Sequence, residues 1–314
     1  MGEFDLIARF FTRAPRAGGP VRLGVGDDCA LLQASPGTHL AISSDMLVEG
    51  RHFLSTVDPA RLGHKALAVN LSDLAACGAT PRGFTLALAL PRADEAWLAG
   101  FAQGLWALAD ASGIPLVGGD TTQGPLNLCI TVFGEAPPGQ ALLRSGARVG
   151  DEVWVSGQLG DARLALEVFR GTVALAGEAF EQVRRAMELP TPRLGLGQAL
   201  RGVATAALDI SDGLLGDLGH LLAASQVGAT LDLEALPRSP VLAAQPQAVQ
   251  QACLLAGGDD YELVFTAPKG VRLPDVGVPL TRIGRIDAEP GLRVVDARGA
   301  PVAHGLQSFD HFKT

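Results

Sequence analysis

The chain has 314 residues, of which 47% are hydrophobic and 18% are charged, so it holds enough apolar material for packed cores and does not resemble a disordered chain. A formal net charge of -8, without a run of Lys or Arg, argues against nucleic acid as a partner. The length exceeds the roughly 100 to 200 residues of one average domain and predicts two domains.

The four cysteines, Cys29, Cys77, Cys129 and Cys253, lie far apart in the chain and form no C-x-x-C pair. Neither a disulfide framework nor a zinc site is therefore predicted, and a reducing cytoplasm is the expected compartment. The N-terminal segment 1–5 is acidic and unlike a signal peptide. No apolar run reaches the roughly 18 residues that span a bilayer, so no membrane partner is expected.

In the first half of the chain, apolar patterns with strand and helix periods alternate, which predicts an α/β fold. Patterns typical of strands lie at 21–25, 40–43, 84–90, 126–134 and 153–156, and patterns typical of helices at 61–78 and 95–112. A turn-rich segment, 136–139, precedes the second series of elements. We therefore predict a boundary between residues 140 and 150, with a first domain over 1–145 and a second over 146–314.

The second half of the chain again mixes helices and strands, and no repeat of fixed period is visible. Helical patterns lie at 161–170, 177–188 and 213–224, and patterns typical of strands at 230–234, 262–266, 281–286 and 292–296. The second domain is therefore also predicted to combine helices with a sheet.

The chain lacks the Gly-rich loop G-x-x-x-x-G-K-[ST], which wraps a phosphate in backbone N–H groups. None of its lysines, Lys65, Lys269 and Lys313, stands in that frame. Instead it has aspartates on turns flanked by glycine or serine, each after an apolar run: Asp28, Asp45, Asp120, Asp209 and Asp212. Because ligands of open α/β sheets bind outside the carboxyl ends of strands, we expect these turns to converge on one crevice.

One more acid lies on the helix predicted at 61–78. Asn70 and Asp73 are three residues apart, share a face of this otherwise apolar helix, and need a polar partner there. Converging carboxylates repel one another unless cations neutralise them, and Mg²⁺, which keeps waters and phosphate oxygens as ligands, suits such a set. Phosphoryl transfer from ATP needs positioning and charge neutralisation more than a protein nucleophile, so no catalytic side chain is predicted.

Each of these residues also has an ordinary structural interpretation. An aspartate in a turn, taken alone, often caps a helix or closes an Asx turn, as Ser211 or Asp212 would for the helix that begins at Gly213. For His52, the role of an ordinary surface or core histidine is as plausible as a role in a functional site. The segment 257–262 fits a simple turn into a strand. Arg144 fits a solvated arginine and Phe309 a packing anchor for the C-terminal tail.

Six segments, taken together and in this order, resemble the thiamine-monophosphate kinase family: 24–30, 44–50, 65–73, 118–122, 142–147 and 209–213. The resemblance runs from Gly2 to Phe312. That family belongs to a superfamily with aminoimidazole ribonucleotide synthetase and selenophosphate synthetase. The resemblance implies a PurM-like two-domain α/β fold with mixed sheets, in which an N-terminal domain binds ATP and a C-terminal α/β domain completes the substrate and metal sites.

The resemblance also implies roles for single residues. The ligands of several Mg²⁺ ions around the ATP phosphates would be Asp28, Ser43, Ser44, Asp45, Asp73, Asp120, Asp209 and Asp212. The ATP contacts would be Gly119, Asp120, Arg144 and Ser211. The contacts to thiamine monophosphate would be His52, Asp259 and Phe309. Members of the family carry Glu at the position of Asp259, so this chain is one methylene shorter there.

The implied activity is direct, in-line transfer of the γ-phosphoryl group of ATP to thiamine monophosphate by a homodimer. One alternative is a superfamily enzyme with a different acceptor, such as an amidine, selenide or carbamoyl group. An enzyme that acts on selenide would need a reactive Cys or selenocysteine near its N-terminus, whereas the first cysteine here is Cys29. An enzyme that acts on a carbamoyl group, as in hydrogenase maturation, would need a C-terminal Cys, whereas this sequence ends in Lys313 and Thr314. The other alternative is a non-catalytic nucleotide or metal sensor, which needs fewer acidic residues.

Overall fold

In a computed structural model of the chain, which describes residues 2–14, 18–303 and 305–309, the protein divides into two compact units. The first unit comprises Met1–Leu74 and Ala79–Gly139, and the second comprises Ala75–Gly78 and Gln140–Thr314. The division at Gly139 falls at the end of the turn-rich segment. Residues 140–145, predicted in the first domain, therefore belong to the second unit.

The first unit is built on a four-stranded sheet with the strand order β3-β6-β4-β5. β6 is antiparallel to both of its neighbours, and β4 and β5 are parallel. A short antiparallel pair, β1 and β2, stands apart from this sheet. The elements are α1 Glu3–Leu6, a π-helical turn Ile7–Phe11, β1 Val21–Leu23, β2 Leu31–Leu32, β3 His39–Val48, α2 Pro59–Ala76, β4 Thr80–Leu90, α3 Glu95–Ser112, β5 Leu116–Gln123 and β6 Asn127–Ala136.

Two of the aspartates that were predicted on turns after strands lie inside strands instead. Asp45 is in β3, where it pairs with Ile130 of β6, and Asp120 is in β5, where it pairs with Ala87 of β4. The prediction of turns at these two positions is therefore wrong. Ser, Thr, Gly and Asp are typical of turns, but here the neighbouring strand supplies the partners of the main chain, so the strand continues through them.

The helix α2 packs on one face of this sheet through both apolar and polar contacts. Its polar pair has partners on β3: Asn70 Oδ1 accepts the Asp45 N–H at 3.0 Å, and Asp73 Oδ2 accepts the Ser43 hydroxyl at 2.5 Å. A Cβ atom at Gly134 of β6 would lie 2.9 Å from Leu74 Cδ2, so glycine lets the helix approach the sheet there. The shared face expected for this pair from its spacing is the face that meets β3.

The second unit is built on a six-stranded sheet with the strand order β12-β9-β11-β7-β10-β8. All neighbours are antiparallel except β12 and β9, which are parallel. The elements are β7 Glu152–Ser156, α4 Asp161–Phe169, α5 Gly177–Glu188, α6 Leu194–Ala199, β8 Ala206–Asp209, α7 Leu214–Ser225, β9 Gly228–Asp232, a 3₁₀ turn Leu233–Ala235, α8 Pro240–Ala243, α9 Gln247–Ala256, β10 Leu263–Ala267, β11 Leu280–Asp287 and β12 Gly291–Val295.

Hydrophobic cores cover both faces of this second sheet. Along β10, Val264 belongs to the larger core, whereas Leu263 and Phe265 belong to the smaller one. This alternation is the two-residue period of a strand that is buried on both sides. The mixed sheets with helices confirm the predicted α/β fold class, in a chain that divides into two units.

The described part of the chain contains no helix long and apolar enough to cross a membrane. The family resemblance runs to Phe312, and its last three residues, 310–312, lie outside the described residues.

Candidate functional site

The first group of predicted site residues lies in the loop between β1 and β2. Asp27 and Asp28 are both exposed there, and Asp27 Oδ1 accepts the Asp28 N–H at 2.8 Å. Gly26, just before them, has φ 120°, a backbone conformation that side chains rarely adopt. The glycine therefore allows the turn that presents the two carboxylates at the surface.

Asp120 lines the same cavity as the loop between β1 and β2. Its volume is about 580 Å³, and its wall includes Asp27, Asp28 and the segment Gly118 to Thr121. Phe4 and Phe11, from the N-terminal helical segment, contribute apolar surface to the wall. A cavity with aromatic rings and several exposed carboxylates, among them Asp28 and Asp120, suits a ligand that joins an apolar ring to a charged group held through cations.

Position 119, next to Asp120, requires a glycine because the main chain of β4 passes very close to it. Its φ is 147°, and a Cβ atom there would lie 1.8 Å from the carbonyl oxygen of Leu86. A side chain at this position would therefore push β5 away from β4 and move Asp120 with it. The Gly-Asp pair keeps the carboxylate at an exposed edge strand while the main chain stays in the sheet.

The three consecutive predicted ligands on β3 do not share one face. Ser43 and Asp45 alternate with Ser44, because successive side chains of a strand point to opposite sides. Ser43 bonds Asp73 of α2, whereas the Ser44 hydroxyl lies 2.9 Å from Thr131 Oγ1 on β6. The structure thus brings Ser43, Asp45 and Asp73 together and places the Ser44 side chain on the other face of the sheet.

In the second unit, the predicted ligands Asp209 and Asp212 lie where β8 ends and α7 begins. Asp209 is the last residue of β8 and is 7% exposed, whereas Asp212 is exposed. The N-cap of α7 is Gly213, so the prediction that the side chain of Ser211 or Asp212 caps this helix is wrong. The expectation of acids at a strand end is confirmed at this loop, which we call the 209–213 loop.

The 209–213 loop is held by a residue that the sequence analysis missed. Asp217, in the first turn of α7, accepts the N–H groups of Ser211, Asp212 and Gly213 on one oxygen, Oδ2, each at 3.0 Å. Burial raises the pKa of Asp217 to about 6, against the effect of these three N–H donors. Its sequence signal was weak, since an acid in the first turn of a helix is common.

Two predicted substrate residues lie against the same loop. The Asp259 N–H donates to the Ser211 carbonyl at 2.8 Å, and the Phe309 N–H donates to the Asp212 carbonyl at 3.1 Å. Asp259 has φ 66° and its Oδ1 accepts the Tyr261 hydroxyl at 3.1 Å. Phe309 is 49% exposed, so its ring is not a buried packing anchor. The structure therefore brings Asp212, Asp259 and Phe309 together.

A buried ion pair supports the turn that carries Asp259. Glu262 accepts a two-point hydrogen bond from the Arg193 guanidinium, and its Oε2 also accepts the Ser156 hydroxyl at 2.5 Å. Beside it, both carboxylate oxygens of Asp260 accept the Gly160 N–H, at 2.9 and 3.1 Å. Burial raises the pKa of Asp260 well above its usual range. These partners lie far apart in the sequence, so spacing does not reveal them.

Two predicted residues lie elsewhere in their units. His52 follows β3, and its Nδ1 accepts the Val48 N–H at 3.0 Å, which fixes the imidazole against the turn. Arg144 is exposed in the second unit, and its carbonyl accepts the Ser225 hydroxyl at 2.9 Å. Ser225 also accepts the N–H groups of Gly146 and Ala147, each at 3.1 Å, so it holds the backbone of this segment.

No ready-made metal cage exists in the part of the chain that the structure describes, since no three His, Cys, Asp or Glu side chains there form a metal-binding group. The carboxylates come instead in small sets: Asp28 with Asp120, Asp45 with Asp73, and Asp209 with Asp212. Mg²⁺ is usually bound by one or two carboxylates together with waters and substrate phosphates. The donor sets therefore fit Mg²⁺ that arrives with a phosphate ligand.

Comparison with known proteins gives a consistent picture over almost the whole chain. The family model for AIR synthase related protein, N-terminal domain, matches residues 26–136, and that for AIR synthase related protein, C-terminal domain, matches residues 148–297. The thiamine-monophosphate kinase of Salmonella typhimurium is 47% identical over 325 residues, covering 100% of this chain and 99% of the relative.

Two solved structures are similar in both fold and sequence. The thiamine-monophosphate kinase of Stenotrophomonas maltophilia K279a superposes with a TM-score of 0.85 at 45% identity, covering 91% of this chain and 93% of that one. The structure of AaThiL complexed with AMPPCP and TMP superposes with a TM-score of 0.79 at 30% identity, covering 89% of each chain.

Proposed function

The chain belongs to the thiamine-monophosphate kinase family, and on that basis we propose that it transfers the γ-phosphoryl group of ATP to the phosphate of thiamine monophosphate. The products are thiamine diphosphate and ADP. The observation that carries this proposal is the 47% identity to a thiamine-monophosphate kinase across 100% of this chain. A relative at 30% identity, AaThiL, has been solved in complex with AMPPCP and TMP, which supports a site for a nucleotide together with the monophosphate.

The transfer is in-line and needs no protein nucleophile. A phosphate oxygen of thiamine monophosphate forms the new bond to the γ-phosphorus as the bond to the ADP oxygen breaks, so one P–O bond replaces another. Most of the acceleration in such reactions comes from holding the two phosphates in line and neutralising their charge. The chain's own contribution is therefore to bind, orient and charge-balance its substrates.

Several Mg²⁺ ions would be held by eight residues in three sets: Asp28 and Asp120; Ser43, Ser44, Asp45 and Asp73; and Asp209 and Asp212. When bound, Mg²⁺ neutralises charge on the transferring phosphates. The support is the placement of these acids in small sets, which leave coordination positions for phosphate oxygens. Because the Ser44 side chain lies on the other face of β3, its contribution would come from its main-chain carbonyl.

The N-terminal domain, 1–145, would bind ATP and Mg²⁺, and the C-terminal domain, 146–314, would complete the substrate and metal sites. Gly119 and Asp120 would contact ATP from the cavity beside β5, whose aromatic wall suits a purine. Arg144 and Ser211 would contact the nucleotide as well. The exposed guanidinium of Arg144 is suited to a phosphate, because its planar fork matches two oxygens.

Thiamine monophosphate would be bordered by His52, Asp259 and Phe309. The half-exposed ring of Phe309 offers a π face to the cationic thiazolium. Asp259 would meet the same cation or its polar surroundings. The family resemblance predicts Glu at this position, and the shorter Asp259 side chain accepts the Tyr261 hydroxyl here, so the contact would be made at a slightly longer reach.

The first unit has a surface that supports a homodimer. On the edge strand β3, Leu40, Ile42 and Met46 are 60%, 61% and 56% exposed and lie on one face of the sheet. Exposed apolar patches of this kind mark protein interfaces in soluble proteins. We propose that a second copy of the chain covers this face.

A bacterial cytoplasm, where ATP is available, is the proposed location.

Charging the apolar face should separate the subunits. We expect Ile42→Lys to convert the dimer to a monomer at micromolar concentration, because a buried unpaired lysine is costly at an interface. Sedimentation equilibrium measures the mass directly. Val271→Lys, at an apolar position of the second unit that is 38% exposed, is the matched control and should leave the mass unchanged. A monomeric wild type, or a dimer that survives Ile42→Lys, would contradict the proposed interface.

Product analysis tests the activity itself. Purified protein is incubated with ATP and Mg²⁺ and either thiamine monophosphate or free thiamine, and the products are separated by chromatography. Thiamine diphosphate and an equal amount of ADP from the monophosphate alone is the expected result. ADP without thiamine diphosphate would indicate a different acceptor, and ATP binding without any turnover would indicate a sensor.

A further inference from the structure

The 209–213 loop carries three of the residues proposed to hold Mg²⁺ or ATP, and one buried carboxylate organises it from the inner side. Asp217 is 5% exposed, and its Oδ2 accepts N–H groups from Ser211, Asp212 and Gly213, each at 3.0 Å. A single oxygen thus fixes three successive peptide units. Side-chain caps at helix N-termini more often satisfy one or two N–H groups.

The carbonyl side of the same loop is held by other segments. The Ser211 carbonyl accepts the Asp259 N–H at 2.8 Å, and the Asp212 carbonyl accepts the Phe309 N–H at 3.1 Å. The N–H groups therefore turn inward to Asp217, while the carbonyls turn to the two proposed substrate residues. With its main chain held on both sides, the loop leaves the Asp212 side chain exposed.

We propose that Asp217 is a positioning residue for phosphoryl transfer. It holds the main chain of residues 211–213 in the conformation that presents Ser211 and Asp212 to the phosphates, without itself contacting ATP or thiamine monophosphate. The inference rests on the proposed function of this loop. A carboxylate suits the task, because hydrogen bonds to an ionised acceptor are roughly twice as strong as those between neutral groups.

The competing explanation is that Asp217 only stabilises the first turn of α7, as acids near helix N-termini do. The two explanations differ in what a neutral side chain at 217 would change. Loss of a purely structural acid lowers the stability of the folded protein and leaves the active fraction with normal kinetics. Loss of a positioning residue changes kcat and the Mg²⁺ dependence of the folded protein, because the ligands move.

Asp217→Asn tests this difference, since asparagine keeps the shape and one acceptor oxygen but loses the charge. We expect kcat to fall by about tenfold to 100-fold and the Mg²⁺ concentration for half-maximal activity to rise by a similar factor, as for other groups that orient metal ligands. The KM for thiamine monophosphate should change much less. Activity is measured over a Mg²⁺ series with folded protein verified by circular dichroism.

Asp161→Asn is the matched control. Asp161 is 8% exposed, begins helix α4 in the same unit, and accepts the Ser239 hydroxyl at 2.6 Å and the Gln182 amide. We expect it to lower stability while kcat and the Mg²⁺ dependence stay within about twofold of wild type, because its bonds lie outside the metal-binding loop. Should Asp217→Asn fail to fold, Asp217→Glu keeps the charge but moves it by one methylene, and it should show the same shift in Mg²⁺ dependence.

Wild-type kinetics in Asp217→Asn, or an equal loss of activity and Mg²⁺ affinity in Asp161→Asn, would overturn the positioning role. The wild-type protein separates this failure from failure of the proposed function, because it either makes thiamine diphosphate or does not. If it does not, calorimetric titration of wild type and both variants with ATP and Mg²⁺ still measures how Asp217 affects ligand binding at the loop. Weaker binding in Asp217→Asn alone would support the inference, and equal binding in all three would overturn it.

Discussion

Asp209→Asn and Asp45→Asn should each lower kcat by about 1000-fold or more while the protein stays folded. Each substitution removes one negative charge from a proposed metal site, one in each unit, and keeps the size of the side chain. A bound metal supplies several kcal/mol of charge stabilisation in phosphoryl transfer, and about 1.4 kcal/mol corresponds to a factor of ten in rate. Steady-state kinetics at saturating ATP and Mg²⁺ measures the loss.

Asp151→Asn is the control for burial and charge. Asp151 is 5% exposed, close to the 7% of Asp209, and it lies in the same unit. Its carboxylate accepts the Thr205 hydroxyl at 2.6 Å and the Arg148 N–H at 2.9 Å, which are structural bonds at the start of β7. We expect it to lower the melting temperature and to leave kcat nearly unchanged. Full activity in either Asp209→Asn or Asp45→Asn would remove that residue from the metal site.

Arg193→Met should lower the free energy of unfolding by about 3 to 5 kcal/mol, the usual cost of removing one partner from a buried ion pair. The Arg193 and Glu262 side chains are 20% and 8% exposed, and they meet through a two-point hydrogen bond. Without the guanidinium, the Glu262 carboxylate keeps only the Ser156 hydroxyl among these partners. Urea unfolding followed by circular dichroism measures the change.

The double variant Arg193→Met with Glu262→Met should recover much of this loss, because replacing both charges with apolar side chains leaves no unpaired buried group. An exposed pair provides the contrast. Arg9 and Glu95 are 58% and 54% exposed, so Arg9→Met should cost less than about 1 kcal/mol. A loss in Arg193→Met as small as that in Arg9→Met would contradict the buried character of the pair.

Helices with clear end signals were predictable from the sequence to the residue. The helix predicted at 95–112 is α3 Glu95–Ser112, where Asp94 accepts the Ala96 and Trp97 N–H groups and Gly113 ends the helix with φ 65°. Strands that carry polar residues were harder. β5 was expected as a turn because it contains Gly118, Gly119 and Asp120, and only the pairing with β4 keeps it extended. That pairing involves residues about thirty positions away.

The site residues likewise include some that the sequence identifies and some that it does not. Acids next to glycines, such as Asp28 and Asp212, stood out because their local pattern is unusual, and the family resemblance added their roles. Asp217 and the Arg193–Glu262 pair were missed because each works through contacts made by the folded chain. Glu262 is 69 residues from Arg193 and 106 from Ser156. No spacing rule links such positions, so only the structure identifies the residues that support the site.

The most direct test of this account locates the metal ions. Crystals of the protein with Mn²⁺ in place of Mg²⁺, a non-hydrolysable ATP analogue and thiamine monophosphate allow each ion to be found by anomalous scattering. We predict anomalous peaks beside the carboxylates of the proposed ligands Asp28, Asp45, Asp73, Asp120, Asp209 and Asp212. Nucleotide bound with no anomalous peak beside any of these carboxylates would contradict the metal-assisted mechanism.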